Sequence, residues 1–401
     1  MNRLHALCYT LPVESRIGYS IGIVSQHHDF TEVCGMKAIC SRNELHHGVQ
    51  TVSRAVAGRS SLPILNNVLL RTEDGKLRLM SFDLEMGIES TIPATIEEEG
   101  SLTVPARVIA EFLTTLPELD IVLSVDEQNA VNVKCQNSDY TIYGLPPEEF
   151  PALPEVPDEH SFEITQAALR DMIKQAIIAV SPDESRAILT GILLQLQGDE
   201  IRLVGSDGHR LALRTSQVAN ASGEATAIVP GRALSEVGRM LEDEDTPVSV
   251  AISENQIKFD VNGVSVVSRL IEGQFPNYER IIPQQTEKKL IMPAEMLLSA
   301  VRRASIVARE NANRVVLRTE GDRLTVTAES GDVGKAYDEI EIVKEGEDIE
   351  IAFNAKYLME YLSVVDTEGI AMELSGPLSA GLIKQVGKDD YLYVVMPMQI
   401  I

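Results

Sequence analysis

The chain has 401 residues and carries 60 Asp and Glu against 35 Lys and Arg, a formal charge of −25 at pH 7. That length suits two to four domains of ordinary size, and no apolar run approaches the ~18–20 residues that a membrane-spanning helix needs. The acidic balance excludes a protein that coats nucleic acid with its whole surface but leaves room for one local basic face. The cysteines, Cys8, Cys34, Cys40 and Cys135, form no CxxC pair and no disulfide framework, which suits a reduced, cytoplasmic setting.

Residues 1–35 lack steady periodicity. They hold His5, His27, His28, Cys8 and Cys34, and the pair His27, His28 with Cys34 has no fourth metal ligand at suitable spacing. The expectation is an unstructured extension, or one produced by an upstream start in the gene model, with regular patterning from Met36.

From there one pattern is written three times. A strand end, a small turn and a helix recur as VPAR (104–107), VPGR (229–232) and FNAK (353–356), spaced by 125 and 124 residues. The helices that follow place apolar residues at helical spacing, as in Val108, Phe112, Leu116 and Leu358, Leu362, Val365. Pro105 and Pro230 suit a helix start, and Asn354 suits a cap. A further helix opens each unit, over 43–56, 167–180 and 294–307. Between them the sequence alternates with period two and breaks at DG, GD, EN and NG, which predicts antiparallel sheets. The fold class is therefore α+β. Three tandem similar domains are expected at 36–157, 158–287 and 288–401, each with two helices and about eight strands.

Charge is not spread evenly. The six predicted helices carry nine basic and six acidic side chains, a net +3, while everything else carries −28. Helices sharing one surface would make it mildly positive, able to hold phosphates loosely without reading bases. Scattered solvated helix faces would give the same count.

The motif SDGHR (206–210) sets Asp207 beside His209, the pair a hydrolase would use for acid/base work. No nucleophile elbow, phosphate loop, GxGxxG or HExxH accompanies it. Asp-Gly between two alternating runs is first of all a hairpin turn, so a structural or binding role is expected.

The runs MKAICSRNELHHGVQTVSRAVAGRSSLPILNNVLL, SFDLEMGIE, SDGHRLAL, GQFPNYERIIP and YVVMPM resemble the bacterial DNA sliding clamp family, the beta subunit of the DNA polymerase III holoenzyme, from Met36 to Ile401. Residues 1–35 have no counterpart there. The resemblance implies the DNA clamp fold, a head-to-tail homodimer closing as a ring of six domains around duplex DNA. It implies a polymerase processivity factor that is not an enzyme, needs no cofactor, and works in the cytoplasm at the nucleoid. The partners implied are DNA held without sequence specificity, an ATP-driven clamp loader, the alpha subunit of the replicative polymerase, and other polymerases and repair proteins with short Gln-containing apolar motifs. A clamp-like scaffold that docks peptides and never encircles DNA stays open as an alternative.

Carried over position by position, the resemblance implies a peptide groove with a floor of Leu189, Leu211, Pro276, Ile281, Leu378, Val394 and Met396. Its edges would be Arg186, Ser206, Gly208, His209, Arg210, Arg280, Asn354, Tyr357, Pro397 and Met398. Arg59, Arg107, Arg232 and Arg239 would face DNA. Tyr140 and Ile142 would meet Ile306 and Val307 of the second copy, with Asp139 and Lys335 as an ion pair of reversed sign across that contact.

Overall fold

The computed structural model describes residues 35–56, 62–126, 128–242 and 244–400. The expected extension and Arg59 lie outside the described residues.

The first repeat comprises β1 (Met36–Ser41), α1 (Arg42–Val52), β2 (Asn67–Glu73), β3 (Lys76–Phe82), β4 (Met86–Pro93), β5 (Thr95–Glu98), β6 (Ser101–Pro105), α2 (Ala106–Thr115), β7 (Asp120–Val125), β8 (Ala130–Cys135) and β9 (Ser138–Tyr143). The second runs β10 (His160–Thr165), α3 (Gln166–Ile177), β11 (Gly191–Gln197), β12 (Glu200–Ser206), β13 (Arg210–Gln217), β14 (Ala219–Ser222), β15 (Ala225–Pro230), α4 (Gly231–Met240), β16 (Pro247–Ile252), β17 (Gln256–Val261) and β18 (Val264–Arg269). The third runs β19 (Lys288–Pro293), α5 (Ala294–Ala308), β20 (Arg314–Glu320), β21 (Arg323–Ser330), β22 (Gly334–Glu341), β23 (Val343–Glu345), β24 (Glu350–Asn354), α6 (Ala355–Leu362), β25 (Gly369–Leu374), β26 (Gly381–Gln385) and β27 (Tyr391–Val395). Each repeat thus has nine strands, one more than the alternation predicts. Strands such as β5, β14 and β23 are short, mostly exposed and barely alternate.

The helices start where the sequence places them. Asn354 caps α6 by accepting the amide of Lys356 at 2.9 Å. Pro105, Pro230 and Pro293 stand just before α2, α4 and α5, where their fixed φ turns the chain and their missing N–H leaves no ladder bond broken. Within each repeat the two helices pack on each other, α1 on α2, α3 on α4 and α5 on α6. Leu45, Val49, Leu113, Leu169, Leu234, Leu297 and Leu358 are fully buried between helices and sheets. Cys40 lies in this core, and its burial pushes the thiol up to about 12.

The sheets do not stop at the repeats. One nine-stranded sheet runs β14-β10-β16-β17-β18-β4-β3-β2-β6, joining the second repeat to the first through β18 and β4. Another runs β15-β11-β12-β13-β27-β26-β25-β19-β23, joining the second to the third through β13 and β27. The remaining strands form two shorter sheets, β5-β1-β7-β8-β9 with five strands and β22-β21-β20-β24 with four. Among the described residues no helix is long and apolar enough to cross a membrane.

Candidate functional site

The hairpin between β12 and β13 is built around Asp207. Its Oδ1 accepts the amides of His209 at 2.8 Å and Arg210 at 3.0 Å. Gly208 takes φ +87°, a left-handed conformation that a side chain resists. The Ser206 hydroxyl donates to the Arg210 carbonyl at 2.9 Å. Adjacent Arg186 donates to the Asp207 carbonyl at 2.8 Å. The Asp207 carboxylate is thus occupied by backbone and by Arg210, and His209 stands exposed beside it. This is turn architecture and sets up no acid/base relay.

Arg210 reaches down instead of out. It is 7% exposed, bonds Asp207 Oδ2 at 3.0 Å, pairs with Glu360 of α6, and lies 4.2 Å from the Tyr357 ring centroid. Burial opposes its charge, Tyr393 and Glu360 favour it, and the net direction is upward. Ser206 and Arg210, expected at the groove's edge, are buried beneath it because the Gly208 turn folds the hairpin end back onto the third repeat. Glu360 was not foreseen. It sits one turn beyond Tyr357 and Lys356 on the same helix face, which is the only trace it leaves in the sequence.

Above this ion network lies the apolar floor. Leu211 and Val394 face each other across β13 and β27, each 1% exposed, and Ile281 packs on the same cluster. The Met396 amide donates to the His209 carbonyl at 2.8 Å, which holds the chain end against the hairpin. The Met398 amide bonds Ala352 at 2.7 Å, and Met396, Pro397, Met398 and Leu189 are half-buried. Other expected residues stand apart. Leu378 is 73% exposed on the loop after β25, and Arg280 is exposed on the 3-10 turn Tyr278–Arg280. Pro276, by contrast, lines a hollow of about 610 Å³ with Leu193, Ile228 and Phe275, which belong to the same apolar cluster as Leu211 and Val394. The Asn354 side chain is engaged as the α6 cap.

The basic helix residues are mostly answered within the chain. Arg107 pairs with Glu111 at 2.9 Å, Arg232 with Asp83 at 2.5 Å, Arg239 with Glu236 at 2.5 Å and Arg303 with Asp338 at 2.6 Å. Lys174 and Arg302, at matching positions of α3 and α5, are exposed without an ion pair among the described residues. At the edges, Tyr140 is 46% exposed against Phe112, with ring centroids 4.3 Å apart, and Ile306 is 59% exposed. Val307 is half-buried. Ile142, expected in the contact with a second copy, shares the helix-side face of β9 with Tyr140 and is buried at 9% exposure in the first repeat's core. Asp139 pairs with Lys134 at 3.1 Å and Lys335 with Glu329 at 2.7 Å.

Three tandem α+β units joined by shared nine-stranded sheets, each with a pair of packed helices, and an apolar crevice at a junction define the clamp fold. Family models of the DNA polymerase III beta subunit match in succession: the N-terminal domain over 36–154, the central domain over 163–277 and the C-terminal domain over 279–399. The chain belongs to this family, the bacterial beta sliding clamps. It is 33% identical to the beta sliding clamp of Synechococcus elongatus over 91% of this chain and 100% of that one. It is 31% identical to that of Staphylococcus aureus over 86% of this chain and 94% of that one. Among solved structures, the DNA polymerase sliding clamp of Bacillus subtilis matches with TM-score 0.88 at 29% identity, over 91% of this chain and all of that one. The Pseudomonas aeruginosa clamp bound to griselimycin matches with TM-score 0.87 at 32% identity, with the same coverage.

Proposed function

We propose that this chain is a DNA polymerase processivity factor that works as a non-catalytic ring. Two copies enclose duplex DNA with their helices inward and dock polymerases and other DNA-processing proteins in the crevice above Arg210. The clamp loader and the polymerase alpha subunit are the first partners this reading assigns, with a cytoplasmic place at the nucleoid. It also divides the chain at 157/158 and 287/288.

The observation that carries the ring is the strand arithmetic. Each internal junction joins a five-strand half to a four-strand half. The two shorter sheets are those same halves left unjoined, with β9 in the place of β18 and β27, and β22 in the place of β4 and β13. A second copy placed head to tail completes a nine-stranded sheet at both remaining junctions and removes four open edges, two from each copy.

The internal junctions also supply a register. Val264 faces Ser90 at one and Tyr391 faces Arg214 at the other. Traced along the ladders from the helix starts, Ser138 takes the first position and Asp338 the second. Asp139 then faces Tyr337, Tyr140 faces Ala336 and Thr141 faces Lys335. Asp139 and Lys335 become diagonal neighbours about 7–8 Å apart, within reach of a lysine that leaves Glu329. A chain carrying Asp139→Cys and Tyr337→Cys should cross-link between copies on mild oxidation, whereas Asp139→Cys with Glu341→Cys should not. The opposite pattern would mean another register.

DNA contact in this reading is weak by construction, because most helix cations already face their own carboxylates. The decline of direct DNA affinity with salt should therefore be shallow, since its slope scales with the phosphates neutralised. Rings loaded on closed circles should persist in moderate salt and be lost once the circle is cut. Equal retention on circles and linear fragments would favour the docking scaffold that never encircles DNA.

A further inference from the structure

The hairpin that supports the groove occurs twice. At the junction of the first and second repeats, Asp83 Oδ1 accepts the amides of Glu85 at 3.0 Å and Met86 at 2.7 Å, and the Arg269 amide donates to the Glu85 carbonyl at 2.8 Å. These are the bonds of Asp207, His209, Arg210 and Met396, atom for atom. The ladders agree: Gly87 faces Val267 as Leu211 faces Val394. Asn67 faces Pro105 as Gly191 faces Pro230, which sets Leu65 where Leu189 stands at the groove.

The two crevices differ in what fills them. Leu189 is half-buried, whereas Leu65 is 1% exposed; Val267 and its counterpart Val394 are both buried. Where Leu211 supplies the floor, Gly87 has no side chain, and Leu153 takes the space. A Cβ added to Gly87 would meet Leu153 Cδ2 at 2.0 Å, well before Phe82 Cδ2 at 3.2 Å and Leu153 Cγ at 3.3 Å. The connectors explain the difference. After Phe150-Pro151 the chain reaches its next proline, Pro154, in three residues and lays Leu153 over Gly87. After Phe275-Pro276 it takes seven, to Pro283, through the turn Tyr278–Arg280, and the Tyr278 hydroxyl is drawn off to Gln195 Oε1 at 2.7 Å.

We infer that the first junction is a second copy of the docking groove, held shut by Leu153 acting as a built-in ligand. Each chain therefore offers one open site for short apolar peptides where the fold supplies two. This rests on the reading of the Leu211–Val394 crevice as a peptide site, so the experiment counts sites in the native protein as well.

The probe is a fluorescein-labelled nonapeptide with one Gln and two C-terminal apolar anchors, titrated by anisotropy and calorimetry against the full-length protein. Wild type should bind one peptide per chain. Leu153→Ala should bind two, the second about tenfold more weakly because Arg269 replaces the Met396 anchor, a loss of about 1.4 kcal/mol by that conversion. Hydrogen exchange should show new protection at 86–88 and 265–268 on peptide addition. Gly87→Leu rebuilds the floor and expels Leu153 by a separate route, and Leu153→Gln returns the side chain to solvent if the alanine variant does not fold. One site in every folded variant, with wild type also binding one, overturns the inference. No binding by wild type would instead overturn the groove reading beneath it.

Discussion

Ile306→Asp should sediment as a monomer at concentrations where the native protein is a dimer, and it should not be retained on circular DNA. Ile306 is 59% exposed on α5, a helix that packs on the edge strand β22. In the register carried by the internal junctions, Tyr140 meets Ala336 on the helix side of the sheet, with Phe112 behind one and α5 behind the other. An exposed isoleucine there gains its burial only from the second copy. An aspartate in the same place would have to give up hydration inside an apolar contact, a cost that exposed Arg302, one turn earlier on α5, offsets only in part. The chain's own fold has little at stake, since a substitution at an exposed position away from a cap or network usually shifts stability by no more than about 0.5 kcal/mol. The check is sedimentation velocity beside a melting curve of the monomer. A dimer that survives, with the fold intact, would put the contact on another surface.

The repeats were legible because three copies of one pattern reinforce each other. The helix over 43–56 is observed as α1 plus a 3-10 turn, Ser53–Ala55, and the one expected over 294–307 matches α5 closely. Short exposed strands such as β14 were not legible, since neither face of theirs is consistently buried. The groove's floor could be named from the resemblance alone, but its support could not. Glu360 meets Arg210 across 150 residues, and Tyr393 comes from the last strand, so only the β13–β27 ladder brings them together. The helix charges show the same boundary. The Arg107–Glu111 pair is readable as i, i+4, whereas Asp83 reaching Arg232 and Asp338 reaching Arg303 depend on sheet geometry. A count of +3 therefore overstates what the helices present to a phosphate.

Arg210→Ala and Met396→Ala should separate support from contact in the groove. Met396 is half-buried at the crevice, and its backbone, not its side chain, makes the bond to His209. Truncation removes an apolar anchor and should weaken a labelled polymerase-tail peptide by about 1–3 kcal/mol, roughly 5- to 150-fold, with an unchanged melting midpoint. Arg210 is different because it sits under the floor. Its removal leaves the Asp207 carboxylate, 7% exposed at the side chain, without its cation and takes from Glu360 its tie to the second repeat. Breaking a buried pair from one side costs about 3–5 kcal/mol. Two amides still hold Asp207, so the lower end, about 3 kcal/mol, is expected. For a chain of this length unfolding as one unit, the midpoint should fall by about 4 °C. Peptide binding should fall with it, because Leu211 and Val394 lose the hairpin that sets their spacing. Anisotropy and calorimetry on both variants give the answer. If Arg210→Ala melts like the native protein and loses only peptide affinity, Arg210 is a contact residue at the surface of the groove and the ion network does not hold the junction.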